Sequence, residues 1–362
     1  MSSPTMPEEA RTPCFPHITL QKTLCLLGVL FLHATLPFTE GSPFWQFYAD
    51  ERSVAATALA SFLGAVLIPS FIFASGFLLA HALEQRQRTF SERLASRVRR
   101  LLRPWLLTVL FWLVPLYTLF DLPSFNRPLH ATLLEGYSAA LRGLFADHLW
   151  FLLVLFWVTL FWLLLLPLVR RTNQFVGFVV AVAVAALAQG FGGGLTWFCF
   201  WEISAPLFFF YLGCLAYWHR ERIDSLLMRF PLLLLFGLAA ALAVLSPLPS
   251  APFVVTCLVS GVGCAFSYLL SLMLVHKGYQ SLRAFVPYRY FEEHSFRFYL
   301  FHMPTGLLVF RIVNGAVELP VFLQIVVIFV LCFAATSVIV IVNRRLEEMF
   351  RAWLPIKTTC NL

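Results

Sequence analysis

Ten apolar runs account for most of this 362-residue chain. They lie near residues 18–38, 56–80, 101–120, 148–169, 174–191, 197–218, 230–248, 253–275, 295–313 and 319–343, and each approaches the roughly 17 to 25 residues needed to cross bilayer hydrocarbon. The predicted fold is therefore all-α, a polytopic transmembrane helical bundle of about ten spans. Composition agrees, since 60% of the residues are hydrophobic and 12% charged, where soluble domains carry about 25% charged. Pro104, Gly192 to Gly194 and Pro249 sit at run boundaries, so breakers set those limits. The run 174–191, rich in Ala and Val, gives the weakest signal.

Basic residues in short loops collect on the cytoplasmic side of a membrane. With the N-terminus inside, the clusters at Arg86 to Arg103, Arg170 and Arg171, Arg220 to Arg229, Lys277 to Arg297 and Arg344 to Lys357 all fall inside. Of the 26 basic residues, only Arg52, Arg127, Arg142 and Arg311 fall on or near the outer side. Both termini are thus expected in the cytoplasm, with 1–17 and 344–362 as cytoplasmic tails around a membrane domain at 18–343. The asymmetry explains the net charge of +8 without a nucleic-acid partner. The first run has little basic n-region and no clear small-x-small cleavage site, so it reads as a span and not a cleaved signal peptide. The eight cysteines form no CxxC pair; they read as small core residues, with neither a disulfide framework nor a metal site expected.

Ionisable groups inside apolar runs cost roughly 2.5 to 3.5 kcal/mol each on insertion scales and tend to mark function. Lys22 and His33 stand eleven residues apart in the first run, on one helix face and about 16 Å apart along the axis. The bland alternative is a snorkelling lysine and a hydrogen-bonded core histidine. In the second run Ser75 precedes Gly76, and close helix packing is its favoured role. Arg97 and Arg100 lie one turn apart before Pro104. Their planar guanidinium forks suit phosphate oxygens, with a headgroup-contacting collar as the alternative. His148 and Trp150 open the fourth run, Glu202 stands among aromatics in the sixth, and the ninth holds His302 with Tyr299 one turn earlier. For Glu202 and His302 the alternative is an interhelical structural hydrogen bond.

Five strings occur in order along nearly the whole chain: K-x10-H at Lys22 to His33, FIFASGFLL at 71–79, RxxRLLRP at 97–104, HLWFL at 148–152 and YLFHMP at 299–304. Together they resemble the acyltransferase 3 family of integral-membrane O-acyltransferases, and the last two strings are similar to its glucan-biosynthesis C branch. The resemblance implies an acyltransferase that moves an acetyl- or succinyl-type group from a cytoplasmic acyl-CoA-like donor to a hydroxyl of an exported glycan or other acceptor. It implies His33 as catalytic residue with Lys22 in the same motif, Arg97 and Arg100 as the donor-binding pair, and no permanently bound cofactor. A bacterial inner (plasma) membrane location follows. Trp105 replaces the tyrosine usual after the Arg-Pro step. The esterase-like domain of some members has no counterpart here, which leaves open whether a separate extracytoplasmic partner protein finishes the reaction. A secondary transporter or flippase of a small anionic or lipid-linked substrate is the rival reading, since broken helices and intramembrane His also suit alternating access. No internal inverted repeat supports it.

Overall fold

The computed structural model describes residues 15–40, 49–85, 88–122, 131–142, 147–171, 173–191, 197–245, 253–316 and 319–353. Among the described residues there are helices and connecting turns and no strand. In chain order the helices are α1 Pro16–Thr35, α2 Val54–Gln85, α3 Phe90–Leu119, α4 Leu133–Leu141, α5 Trp150–Arg171, α6 Gln174–Phe191, α7 Ser204–Trp218, α8 Arg220–Leu227, α9 Leu232–Leu245, α10 Phe253–Ala284, α11 Val286–Ala316 and α12 Val321–Trp353. Every apolar run of the sequence falls on one of them, in a multi-pass membrane bundle.

Among the described residues, seven helices pass as membrane-crossing by length and composition alone, and eight if α8 and α9, bent by 91°, count as one broken span. The other two apolar runs lie on α6 and α11, which that measure leaves out for physical reasons. The apolar part of α6 covers only Gln174–Ala188. Helix α11 is 31 residues long, but Arg297, Tyr299, His302, Arg311 and Asn314 depress its hydropathy. Helix α12 continues through 344–353, and the long segment between the third and fourth runs contains the nine-residue α4.

Helices α1 and α2 run antiparallel, as their end contacts require. At one end the Phe15 ring packs edge-on against Phe77 and His81, centroids 5.1 and 4.8 Å apart. At the other, the backbone N–H of Ser53 donates to the carbonyl of Phe38 at 2.9 Å. A buried polar seam joins both to α10. Gln21 donates to the Ser267 hydroxyl at 2.9 Å, and Ser267 meets Ser70 at 2.7 Å.

Helix α3 is α-helical except for two π-turns, Val98–Leu102 and Val109–Leu113. Each is followed after one residue by a proline, Pro104 or Pro115. A proline ring clashes with the carbonyl four residues back, and widening the preceding turn by one residue relieves that clash while keeping the helix continuous.

The closest helix crossing is α2 on α7. A Cβ at Gly76 would overlap the Phe210 carbonyl, and one at Gly213 would overlap the Phe73 carbonyl, so each glycine admits the partner's backbone. The Cys214 thiol donates to the Gly76 carbonyl at 3.4 Å across the same crossing. Ser75 instead bonds back to the Phe71 carbonyl of its own helix at 2.9 Å. Separating the helices by a methyl group or more is expected to cost about 1–3 kcal/mol or more. Gly76→Val and Gly213→Val should therefore each lower the thermal midpoint of the detergent-solubilised protein clearly, while Ser75→Ala shifts it little; equal midpoints for all three would show that the crossing is not close-packed.

Candidate active site

The end of α1, the turn before α5 and the middle of α11 bring three histidines together. His33 Nδ1 lies 2.9 Å from His302 Nε2, with the rings 5.0 Å apart and 12° from parallel. The His148 ring meets His302 edge-on, centroids 4.7 Å apart at 69°. His302 and His148 are buried, 1% and 5% exposed, so their polar atoms need partners within the protein.

Several of those partners come from the local backbone of α11, while the buried Nδ1 of His148 has no hydrogen-bond partner among the described residues. Pro304 has no N–H, so the Leu300 carbonyl four residues back lacks its helical donor. His148 supplies one: its Nε2 lies 3.2 Å from that oxygen. The Tyr299 hydroxyl donates to the backbone carbonyl of His148, and His302 Nδ1 sits 2.9 Å from the Tyr299 carbonyl and 3.2 Å from that of Phe298. The string YLFHMP thus holds HLWFL in register, which explains physically why these two strings occur in one chain. Among the described residues no group of three His, Cys, Asp or Glu side chains has the geometry to hold a metal ion.

A narrow slot opens beside His33 and His302, walled by Leu30, Gly306, Phe310, Ile328 and Cys332. Its free space is about 10 Å³, close to what one water-sized group fills. A Cβ on Gly306 would come within 3.3 Å of the Cys332 sulfur, so Gly306 keeps the slot open.

Lys22 is half-buried, its ammonium 5.3 Å from the centroid of the Phe71 ring. Phe71 packs edge-on against Phe151 at 5.2 Å, and Phe151 against Tyr299 at 6.2 Å. The lysine therefore connects to the histidine cluster through aromatic rings and lies about 16 Å from His33 along α1. Trp150 opens α5 with its ring edge-on to Phe151 at 6.1 Å. Ser75 lies apart, bonded within α2. Glu202 falls in the turn Trp197–Ile203, and its side chain lies outside the described residues.

At the opposite end of α1 and α2 is a cavity of about 280 Å³. Arg88, Arg93, Arg97 and Arg100 line it together with His81 and Ser96, and no carboxylate is among its described lining. The site thus joins the expected pair Arg97 and Arg100 with Arg93, a weaker candidate of the same basic run, and with Arg88, which the sequence offered only as a member of that run. Arg93 donates from Nε to the Arg88 carbonyl at 3.0 Å and from Nη1 to that of Ala82 at 3.4 Å, tying the end of α2 to the start of α3. Because Phe15 packs on His81, the cavity lies beside the start of α1. His33 is eighteen residues further along, about 27 Å at 1.5 Å per residue.

His81, Arg88, Gly306 and Cys332 belong to no motif, and the sequence reading missed them as site residues. Their only signal is position, one or more turns from residues that do belong to one.

No curated protein and no solved structure matches the chain. The family model described as "Acyltransferase domain" matches residues 16–344, a stretch that contains the arginine cavity, Lys22 and all three histidines. The chain belongs to the acyltransferase 3 family and is a multi-pass membrane enzyme that transfers acyl groups.

Proposed function

We propose that the protein carries an acyl group across the bacterial inner membrane, from an acyl-CoA-like donor on the cytoplasmic face to a hydroxyl of an exported glycan or similar acceptor on the other. The observation that carries this reading is the separation of two chemically different sites along α1. A cavity lined by four arginines lies at one end, and an imidazole cluster lies about 27 Å away at the other. Donor phosphates suit the cavity, because planar guanidinium forks bind phosphate oxygens bidentately. The thioester arm then runs along the α1 face that carries Lys22 towards His33.

At the histidine, a ring nitrogen of His33 takes the proton of the acceptor hydroxyl. The hydroxyl oxygen bonds to the thioester carbonyl carbon, the C–S bond breaks, and the leaving thiolate receives the proton back from His33. Such general-base catalysis contributes roughly 10² to 10⁴ in rate, and an imidazole suits it because its unperturbed pKa lies near neutrality. The apolar slot beside His33, with no cation among its described lining, suits an uncharged acetyl group better than a carboxylate-bearing succinyl group.

Incubating the purified protein with radiolabelled donor and acceptor glycan should yield a labelled ester, with His33→Ala reducing its rate at least about a hundredfold while membrane insertion is unchanged. A mass increment of one acetyl unit on the glycan identifies the group transferred; retained activity in His33→Ala removes the histidine from the mechanism.

Arg97→Ala and Arg100→Ala should raise the donor KM more than the acceptor KM, since a lost phosphate contact weakens one substrate alone. Lysine at either position should restore only part of the affinity, because an ammonium lacks the bidentate fork. Equal weakening towards both substrates would assign these arginines to folding or topology.

With native cysteines replaced, Cys at position 100 should react with an impermeant thiol reagent only after sealed cells are opened, and Cys at position 33 should react from outside. Labelling at 100 in sealed cells would reverse the faces assigned to donor and acceptor.

A further inference from the structure

We infer that His302 is a positioning residue that decides which nitrogen of His33 carries the catalytic lone pair, an inference that rests on His33 being the general base. The neighbours of His302 Nδ1 within hydrogen-bond distance are the carbonyl oxygens of Tyr299 at 2.9 Å and Phe298 at 3.2 Å. Carbonyl oxygens only accept, so Nδ1 must hold the proton. In a neutral imidazole the second nitrogen is then an acceptor, and His302 Nε2 presents its lone pair to His33 Nδ1 at 2.9 Å. His33 must donate from Nδ1, and in the neutral form this leaves its lone pair on Nε2. The hydrogen bond made by one ring nitrogen thus sets the state of the other, through a chain that starts at two backbone carbonyls of α11.

Packing holds His302 in that role. His148 covers one side edge-on at 4.7 Å, and Tyr299 lies one turn earlier. The Cys332 thiol donates to the His302 carbonyl from α12 at 3.5 Å. Among the described residues the titratable groups facing the ring are thus two histidines, a tyrosine and a cysteine. A base held by a second group that is itself oriented by a third is the general triad arrangement, here ending in peptide carbonyls and not in a carboxylate. His302 is also no relay. To pass a proton onward it would have to protonate a carbonyl oxygen, so the proton taken from the acceptor stays on His33 until the thiolate accepts it.

The test uses full-length protein labelled with ¹⁵N-histidine in membranes, with the His33 signals assigned by their loss in His33→Asn. Wild type should show His33 protonated at Nδ1 and unprotonated at Nε2. His302→Leu removes the acceptor, so the His33 tautomer should shift towards Nε2–H, and kcat should fall roughly 10² to 10⁴-fold, the scale of a wrong tautomer in a catalytic triad, with both KM values changed less than about twofold. His302→Gln, which can present its amide oxygen to His33 Nδ1, should recover at least about a tenth of kcat. A His33 that carries its proton on Nε2 in wild type overturns the inference, as does full kcat in His302→Leu. If the leucine variant does not fold, the wild-type spectrum alone decides. Retained activity in His33→Ala would instead remove the base itself, a result the spectrum does not depend on.

Discussion

Pro304 leaves the Leu300 carbonyl without a donor inside a helix buried in the bundle, and much of the site follows from how that oxygen is satisfied. An unmet backbone acceptor in a water-poor interior costs about 1–3 kcal/mol, and in lipid no solvent is at hand to meet it. The imidazole of His148 meets it at 3.2 Å, which draws the turn before α5 against α11 and sets His148 edge-on to His302. The Tyr299 hydroxyl closes the contact from the other direction by donating to the His148 carbonyl. A helix break thus becomes the joint between two segments more than 150 residues apart, with His302 at its centre.

Helix α1 sets the distance between the two ends. Ring packing of Phe15 on His81 at one end and the backbone hydrogen bond from Ser53 to Phe38 at the other fix it against α2, so a side chain's place in the sequence of α1 translates directly into depth. Lys22 occupies an intermediate position. The cation–π contact with Phe71 contributes about 0.5 to 2 kcal/mol, and the rings from Phe71 through Phe151 to Tyr299 line the way from Lys22 to the histidine cluster.

Much of this was legible in the sequence because it depends on spacing along one helix. Lys22 and His33, Arg97 and Arg100, and Tyr299 and His302 are pairs whose relative placement the helical repeat dictates. The His33 to His302 contact was not legible, since it depends on which face of α11 packs on α1 across 269 residues. Ser75 was legible as a packing residue, yet the atom that matters for the crossing is the missing Cβ of Gly76, which a residue-by-residue search for polar groups passes over. Hydropathy alone marks some spans weakly for a related reason: α11 carries the polar residues that build the site, and α6 and α9 are apolar but short or bent. Arg88 and Arg93 looked like any residues of a positive-inside cluster, because charge alone does not distinguish a cavity wall from a headgroup contact.

The arginine cavity carries its own argument about the ligand. Two unit charges about 8 Å apart at an effective dielectric of about 20 repel by roughly 2 kcal/mol, and Arg97 feels both Arg100 and Arg93. Glu92 offsets part of the charge of Arg88 and Arg93, but no carboxylate is among the described lining beside Arg97 and Arg100, and an anion in the cavity would relieve their mutual repulsion. The four do not share the work equally. Arg93 spends two donors on the carbonyls of Arg88 and Ala82, which fixes the loop between α2 and α3 and leaves it fewer N–H groups for a ligand. Arg97 flanks and Arg100 lies within a π-turn, a widened backbone whose side chains fan differently from those of a regular helix, and both line the same cavity. A ligand with several phosphates close together answers that arrangement better than a single carboxylate does. A nucleotide-type donor provides such phosphates at the end of the molecule that remains behind when the acyl group departs towards His33.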